Sequence, residues 1–183
     1  MRSWVPLFFV MACTSNAGNA PPPPPPCDQA CQDAIALRGL RDALKFAYNN
    51  TLAGNDAGPQ DVQRPCIGGS VHVFGTATSN AAQGATFVQL TYVVDHCKFV
   101  KVDTDPLQNY SLTFNGTFTE KGTLSQQPTA TTALDIASAS FDIAGTVHNP
   151  TIDYAATACT LVLTQNGNQL AGTMCGRTAG LTL

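Results

Sequence analysis

Charged side chains are scarce in this sequence of 183 residues. Asp, Glu, Lys and Arg together make up 11% of the chain, whereas about 25% is usual for soluble domains. The net charge is -3, so the chain lacks the basic surface that displaces counterions from nucleic acid. We therefore expect no nucleic-acid partner. The solvated surface must consist largely of hydroxyl and amide groups.

Long apolar segments are missing as well. The first twelve residues, MRSWVPLFFVMA, carry one positive charge at Arg2, and an apolar stretch follows it. That stretch is too short to span about 30 Å of bilayer hydrocarbon. Residues 1–12 are instead typical of a short export signal.

The export signal runs into Val10-Met11-Ala12-Cys13. This tetrapeptide resembles the lipobox of bacterial lipoproteins, in which an aliphatic residue, a tolerant position and a small residue precede the lipidated Cys. It departs from the commonest pattern, which has Leu in place of Val10. The resemblance implies that Cys13 becomes a lipidated N-terminus and anchors the chain in a membrane. Thr14, where Asp would favour the inner membrane, implies the outer membrane. The alternative is an ordinary signal peptide and a secreted protein.

Proline dominates the segment that follows. Residues 13–26 contain Ser, Asn, Gly and Ala and end in six prolines. Such a composition cannot bury a core, and a proline run forms an extended polyproline II rod. We predict a linker over residues 13–26 and a folded domain over 27–183.

The folded domain begins with one helical pattern. Asp28 is a suitable N-cap, and apolar residues recur at helical spacing from about 29 to 49. The polar, Gly- and Pro-containing stretch 53–67 is typical of a surface loop. Antiparallel strands are expected over 68–183.

The strand patterns alternate between apolar and polar residues, as in Tyr110 to Phe118. We predict a mainly β fold, in which a curled, open barrel-like antiparallel sheet of six to eight strands packs against the helix. A β-sandwich is the alternative. A change of parity predicts a bulge near Ser138. Gly-Thr steps recur at Gly75, Gly116, Gly145 and Gly172, and we interpret them as bends of the sheet and not as a repeat.

Six cysteines follow Cys13, and an even number in an exported chain predicts three disulfides among fifteen pairings. The candidates are Cys27, Cys31, Cys66, Cys97, Cys159 and Cys175. Cys66 is a natural partner for Cys27 or Cys31, which lie one turn apart. A Cys159–Cys175 bridge requires the loop Asn166-Gly167-Asn168, whereas a turn at Asn166-Gly167 would place Cys159 beside Met174.

No arrangement of residues in the sequence requires catalysis, a metal or a cofactor. His72, His96 and His148 lie on separate predicted strands or strand ends. Asp103-Thr104-Asp105 with Asn109 lacks the glycine and distal Glu of a calcium loop, so a solvated turn is the better interpretation.

Three classes of function remain. The first is a non-enzymatic envelope lipoprotein that binds an apolar ligand inside the sheet or a partner protein. The second is a structural or adhesive surface protein, and the third is a hydrolase. An open cavity would favour ligand binding, a filled core would favour the structural class, and a histidine meeting an Asp would favour an enzyme. The cavity would be lined by Val88, Leu90, Tyr92, Phe114 and Phe118.

Overall fold

A computed structural model describes residues 26–80, 85–125 and 132–183. The predicted export signal, Cys13 and the linker before Pro26 lie outside these residues. The described chain has a short 3-10 helix at Pro106–Gln108, one α-helix and eight strands. The α-helix and strands are α1 (Gln29–Thr51), β1 (Gly58–Cys66), β2 (Gly69–Asn80), β3 (Ala85–Lys101), β4 (Tyr110–Ser125), β5 (Ala133–Val147), β6 (Ile152–Asn166), β7 (Gln169–Met174) and β8 (Arg177–Thr182).

The eight strands form one antiparallel sheet in simple chain order, each strand pairing with the next. The first and last strands do not pair, so the sheet is open. Helix α1 contacts both edge strands, β1 and β8, as well as β4 between them. A sheet whose two edges meet one helix must curl around it. The predicted fold is confirmed, and the two-sheet sandwich is wrong.

Helix α1 begins where Asp28 caps it, because the Asp28 carboxylate accepts a hydrogen bond from the Cys31 backbone N–H at 2.9 Å. The predicted helix is confirmed and ends two residues later, at Thr51. At Gly39 the helix approaches β4 so closely that a Cβ atom would lie 2.9 Å from the Leu112 side chain. The buried apolar side chains of α1 are Ile35, Ala36, Leu37, Leu40, Ala43, Leu44 and Ala47.

The predicted loop 53–67 is wrong over most of its length, because residues 58–66 form strand β1. The strand lies at the edge of the sheet and pairs only with β2. An edge strand tolerates proline, since one side of its backbone needs no partner. Pro59 and Pro65 therefore did not exclude a strand, although they made the segment similar to a loop.

The predicted bulge near Ser138 is confirmed. It lies within one long strand, β5, whose register with β6 shifts between Ser138 and Phe141. Three further shifts occur, one in β5 between Phe141 and Ile143, one in β3 after Val94 and one in β4 after Gly116. These irregularities bend long strands so that the sheet can curl.

The recurring Gly-Thr steps mark bends, as predicted. Gly75, Gly116, Gly145 and Gly172 have φ values of 134°, 145°, 147° and 153°. Only glycine adopts this region readily. A Cβ atom on Gly75 would also collide with the carbonyl oxygen of Gln89 on β3. Glycine here allows neighbouring strands to approach and coil.

Candidate functional site

The inside of the curled sheet is filled. The five side chains that would line a ligand cavity, if the sheet enclosed one, are each at most 2% exposed: Val88, Leu90, Tyr92, Phe114 and Phe118. The ring of Phe118 packs against Phe141 with centroids 5.2 Å apart, and Phe114 packs against Phe99 at 6.0 Å. The buried side chains of α1 belong to the same hydrophobic cluster. These residues form a core.

A small polar cavity of about 250 Å³ lies at the end of α1, against β1 and β2. Its wall includes Asn55 and Gln60, whose side chains hydrogen-bond to each other at 3.2 Å. The Gln60 amide also donates to the Asp56 carbonyl at 2.8 Å. Ligand sites usually measure about 300–1,000 Å³ and present free polar groups. This cavity is smaller, and these two amides are already engaged.

The carboxylate of Asp33 ties α1 to two distant strands. It accepts hydrogen bonds from the Tyr154 hydroxyl at 2.8 Å and from Arg177 Nε and Nη2 at 2.6 and 2.8 Å. Gln29 donates a fourth at 3.0 Å. Burial alone would raise the pKa of Asp33, but the hydrogen bonds from Arg177, Tyr154 and Gln29 outweigh it and hold that pKa below its usual value.

The chain's single glutamate, Glu120, is 6% exposed on the inner face of β4. It accepts a hydrogen bond from the Tyr92 hydroxyl at 2.5 Å. Burial raises the pKa of Glu120, and burial beside this carboxyl also raises the pKa of Tyr92. The Tyr110 hydroxyl similarly donates to Asp42 of α1 at 3.1 Å. Among the described residues, every buried side-chain nitrogen and oxygen has a hydrogen-bond partner. These carboxylates act as anchors of the fold.

Two of the three histidines meet an Asp at the surface. His72 Nε2 lies 2.6 Å from Asp61 Oδ1 across β1 and β2, and His96 Nδ1 lies 2.6 Å from Oδ1 of its neighbour Asp95. Both contacts are solvent-exposed. The nearby Ser70 hydroxyl accepts a hydrogen bond from Gln63. A carboxylate and an imidazole alone are not a nucleophilic site, which also needs an activated hydroxyl or thiol within reach.

The outer face of β1, β2 and β3 carries an exposed patch with an aromatic centre. Phe74 is 37% exposed, and its ring centroid lies 5.0 Å from that of His72. Val93, also 37% exposed, is the β3 partner of His72 in the register. Asp61 completes the group. We call Asp61, His72, Phe74 and Val93 the outer patch.

All six candidate cysteines form disulfides, and two of the three pairings were not foreseen. Cys66 bonds to Cys97 on β3, and Cys27 bonds to Cys31. The prediction that Cys66 pairs with one of these two is wrong, because the β1–β2 hairpin returns Cys66 to the irregular part of β3.

The third disulfide joins Cys159 to Cys175, but in neither predicted register. The turn is Gly167-Asn168, and Leu161 pairs with Met174. Gly167 has φ 57° at the first turn position, where a type II′ turn favours glycine.

Three disulfides indicate an oxidising compartment outside the cytoplasm, as the cysteine count predicted. None of the helices among the described residues has the length and apolar character needed to cross a bilayer.

The acidic turn before β4 is held by its own side chains. The Asp103 carboxylate accepts from the Thr104 backbone N–H at 2.7 Å, and Asp105 caps Leu107 at 3.0 Å. The Asn109 side-chain oxygen Oδ1 accepts from the Asp103 backbone N–H at 2.6 Å. These hydrogen bonds give the three side chains a part in shaping the turn.

Sequence reasoning missed the polar anchors because their members are far apart in the chain. Glu120 left one signal: it follows Phe118 at the spacing of two that places both on the inner face of β4. The comparisons do not add to this description, since no family model, curated protein or solved structure matches the chain.

Proposed function

We propose that this chain is an envelope lipoprotein, anchored through Cys13, that has no enzymatic activity and binds a partner protein. The observation that carries the proposal is the outer patch, where the exposed Phe74 ring packs against His72 on the outer face of the sheet. The largest core side chains, among them Tyr92, Phe114 and Phe118, are fully buried beneath α1. A sheet filled by its own helix supports recognition from the outside and gives no support to an apolar ligand held within.

The outer patch supports a protein partner. It combines an aromatic ring, a histidine and an aliphatic side chain on a surface that is otherwise rich in threonine. Aromatic residues are enriched where proteins contact each other. The stiff antiparallel sheet would present this surface without reorganisation, which lowers the entropic cost of binding.

The absence of enzymatic activity is supported by the use made of the acidic groups. Asp33 is buried and hydrogen-bonded to Tyr154, which helps to hold α1 on the sheet, and Glu120 is buried and hydrogen-bonded to Tyr92 on the neighbouring strand. Asp61 and Asp95 do contact histidines, as an enzyme would require, but both contacts are solvent-exposed. A structural or adhesive surface protein is the second candidate, since the filled core serves that function equally well.

Intact-mass analysis of the protein in the membrane fraction tests the anchor. We expect a chain that begins at Cys13, carries the mass of two or three acyl chains, and has six oxidised thiols. A Cys13→Ala variant should leave the membrane fraction. A mature chain beginning at unmodified Asn19 or Pro21 would overturn the lipid anchor and leave a secreted protein.

Cross-linking in the native membrane tests the partner. A photoreactive residue in place of Phe74 should give one discrete adduct, and a His72→Ser, Val93→Ser variant should lose it. Val162 provides the matched control, because it is 62% exposed on β6, away from the outer patch. Equal labelling from both positions, or no adduct from either, contradicts a partner at this patch.

A further inference from the structure

The three disulfides differ in what they hold together. Cys66–Cys97 joins β1 to β3, and Cys159–Cys175 joins β6 to the end of β7. In each, one cysteine is buried in the core, with Cys97 at 0% and Cys159 at 4% exposure. The third pair is different, because Cys27 and Cys31 lie one helical turn apart at the start of α1.

The Cys27–Cys31 disulfide also constrains the unfolded chain least. Its cysteines are separated by 4 residues in sequence, against 31 and 16 for the other two pairs. The stabilisation from a disulfide grows with the length of the loop that it closes. Both of its cysteines are half-buried, so solvent reaches this end of the helix. This is therefore the disulfide that a reductant can open at the least cost to the fold.

A histidine from another part of the chain faces this disulfide. A sulfur of Cys27, a sulfur of Cys31 and a ring nitrogen of His148 all lie within 4.8 Å of one another. His148 follows β5, and its backbone N–H donates to the Asn109 carbonyl at 3.0 Å. Among the described residues this is the one group of three side chains with the spacing of metal ligands.

We propose that reduction of the Cys27–Cys31 disulfide creates a metal site at which Cys27, Cys31 and His148 bind a thiophilic ion of the Zn²⁺ or Cu⁺ class. Thiolate and imidazole ligands select such ions. Zn²⁺ binds sulfur at about 2.3 Å and nitrogen at about 2.0–2.1 Å, so a tetrahedral site places these ligand atoms about 3.6–3.8 Å apart. Once the S–S bond is broken, side-chain rotations must separate the two sulfurs and bring the imidazole nitrogen, which lies within 4.8 Å of both, closer to them. A water or a partner's side chain would complete the coordination.

A dithiol can reduce the Cys27–Cys31 disulfide. The dithiol gives two electrons and two protons to the S–S bond and becomes a disulfide itself, while Cys27 and Cys31 become thiols. Metal binding then releases both protons to solvent, because the thiolate is the ligand. The positive end of the α1 dipole favours thiolates in the first turn, where Cys31 lies. The metal site is therefore absent while the disulfide is intact and forms on its reduction.

The test uses the mature chain, reduced under native conditions with one equivalent of a phosphine that is then removed without oxygen. Alkylation and mass mapping should find two thiols, Cys27 and Cys31. Native mass spectrometry should find one Zn²⁺ per reduced chain and none on the oxidised chain. A Cys27→Ser, Cys31→Ser variant, treated in the same way, should bind no Zn²⁺.

Two histidine variants separate ligation from folding. His148→Asn should weaken Zn²⁺ binding at least tenfold in competition with a chromogenic chelator. Asn suits this position because His148 has φ 70° and Asn tolerates that region. His96→Asn is the matched control, since His96 has φ 51°, and it should bind as the parent chain does. The proposal fails if His148→Asn binds as tightly as the parent, if the double Ser variant keeps its Zn²⁺, or if reduction opens Cys66–Cys97 first.

Discussion

Replacing Asp33 by Asn should destabilise the domain and change its response to acid. The side chain is 8% exposed and accepts hydrogen bonds from Tyr154, Gln29 and two nitrogens of Arg177. A hydrogen bond to a charged group contributes about 1.5–3 kcal/mol. The value for Arg177 must be reduced because that side chain is 44% exposed. Asn keeps one acceptor oxygen but turns an NH₂ group toward other donors.

The net loss in the free energy of unfolding should be about 2–3 kcal/mol at pH 7. For a domain of this size that corresponds to a fall in Tm of roughly 4–12 °C. The matched control is Asp42→Asn, because Asp42 accepts only the Tyr110 hydroxyl from the sheet and its side chain is 28% exposed. That variant should lose less than about 1 kcal/mol. Thermal unfolding followed by circular dichroism, with the disulfides intact, measures both.

The pH dependence gives an independent check. The folded-state pKa of Asp33 is lowered, so its contribution is fully present above the unfolded-state value of about 3.9 and is lost as the pH falls through the folded-state value. The gap between the parent and Asp33→Asn should stay constant above about pH 5 and shrink below about pH 4. A Tm unchanged at pH 7, or a gap that does not close in acid, would refute the assignment of Asp33 as an ionic anchor.

Two further predictions follow from the sheet. Glu120→Gln should be more stable than the parent at pH 7, because the parent loses stability as the pH rises above the unfolded-state pKa of about 4.3. The difference should be about 1.4 kcal/mol for each unit by which folding raises the pKa of Glu120. Urea titrations at pH 4 and 7 check this, and a less stable variant at pH 7 contradicts it. Gly75→Ala should cost at least about 2 kcal/mol, because φ is 134° and the new Cβ would meet the Gln89 carbonyl. Gly180→Ala, with φ outside the positive region and its closest contact at 3.5 Å, should be tolerated, and equal losses at both positions would contradict the bend.

Local pattern predicted the elements that depend on local chemistry. The cap at Asp28 and the helical spacing after it gave α1, and the alternation through β4 gave the inner face of the sheet. The change of parity near Ser138 gave the bulge in β5. Strand β1 was not predicted from the sequence, because an edge strand with Pro59 and Pro65 has the composition of a loop. The segment is a strand because it pairs with β2, and no local pattern in β1 itself indicates that pairing.

The candidate site was less accessible to sequence reasoning. Six cysteines established that three disulfides would form, but the partner of Cys66 depended on where the β1–β2 hairpin lies against β3. Whether the interior holds a ligand or a core depended on how closely α1 packs, which Gly39 allows. Both questions are decided by distances between segments that are remote in the chain.

The sequence by itself determined one helix, an antiparallel sheet and an even number of cysteines typical of a compartment outside the cytoplasm. Each of these follows from composition or from a period of a few residues. Only the tertiary structure decided that the sheet is filled, that Asp33 binds Arg177, and that His148 faces the Cys27–Cys31 disulfide. The physical reason is that these contacts form when the curled sheet closes around α1. Their geometry is therefore a property of the whole fold.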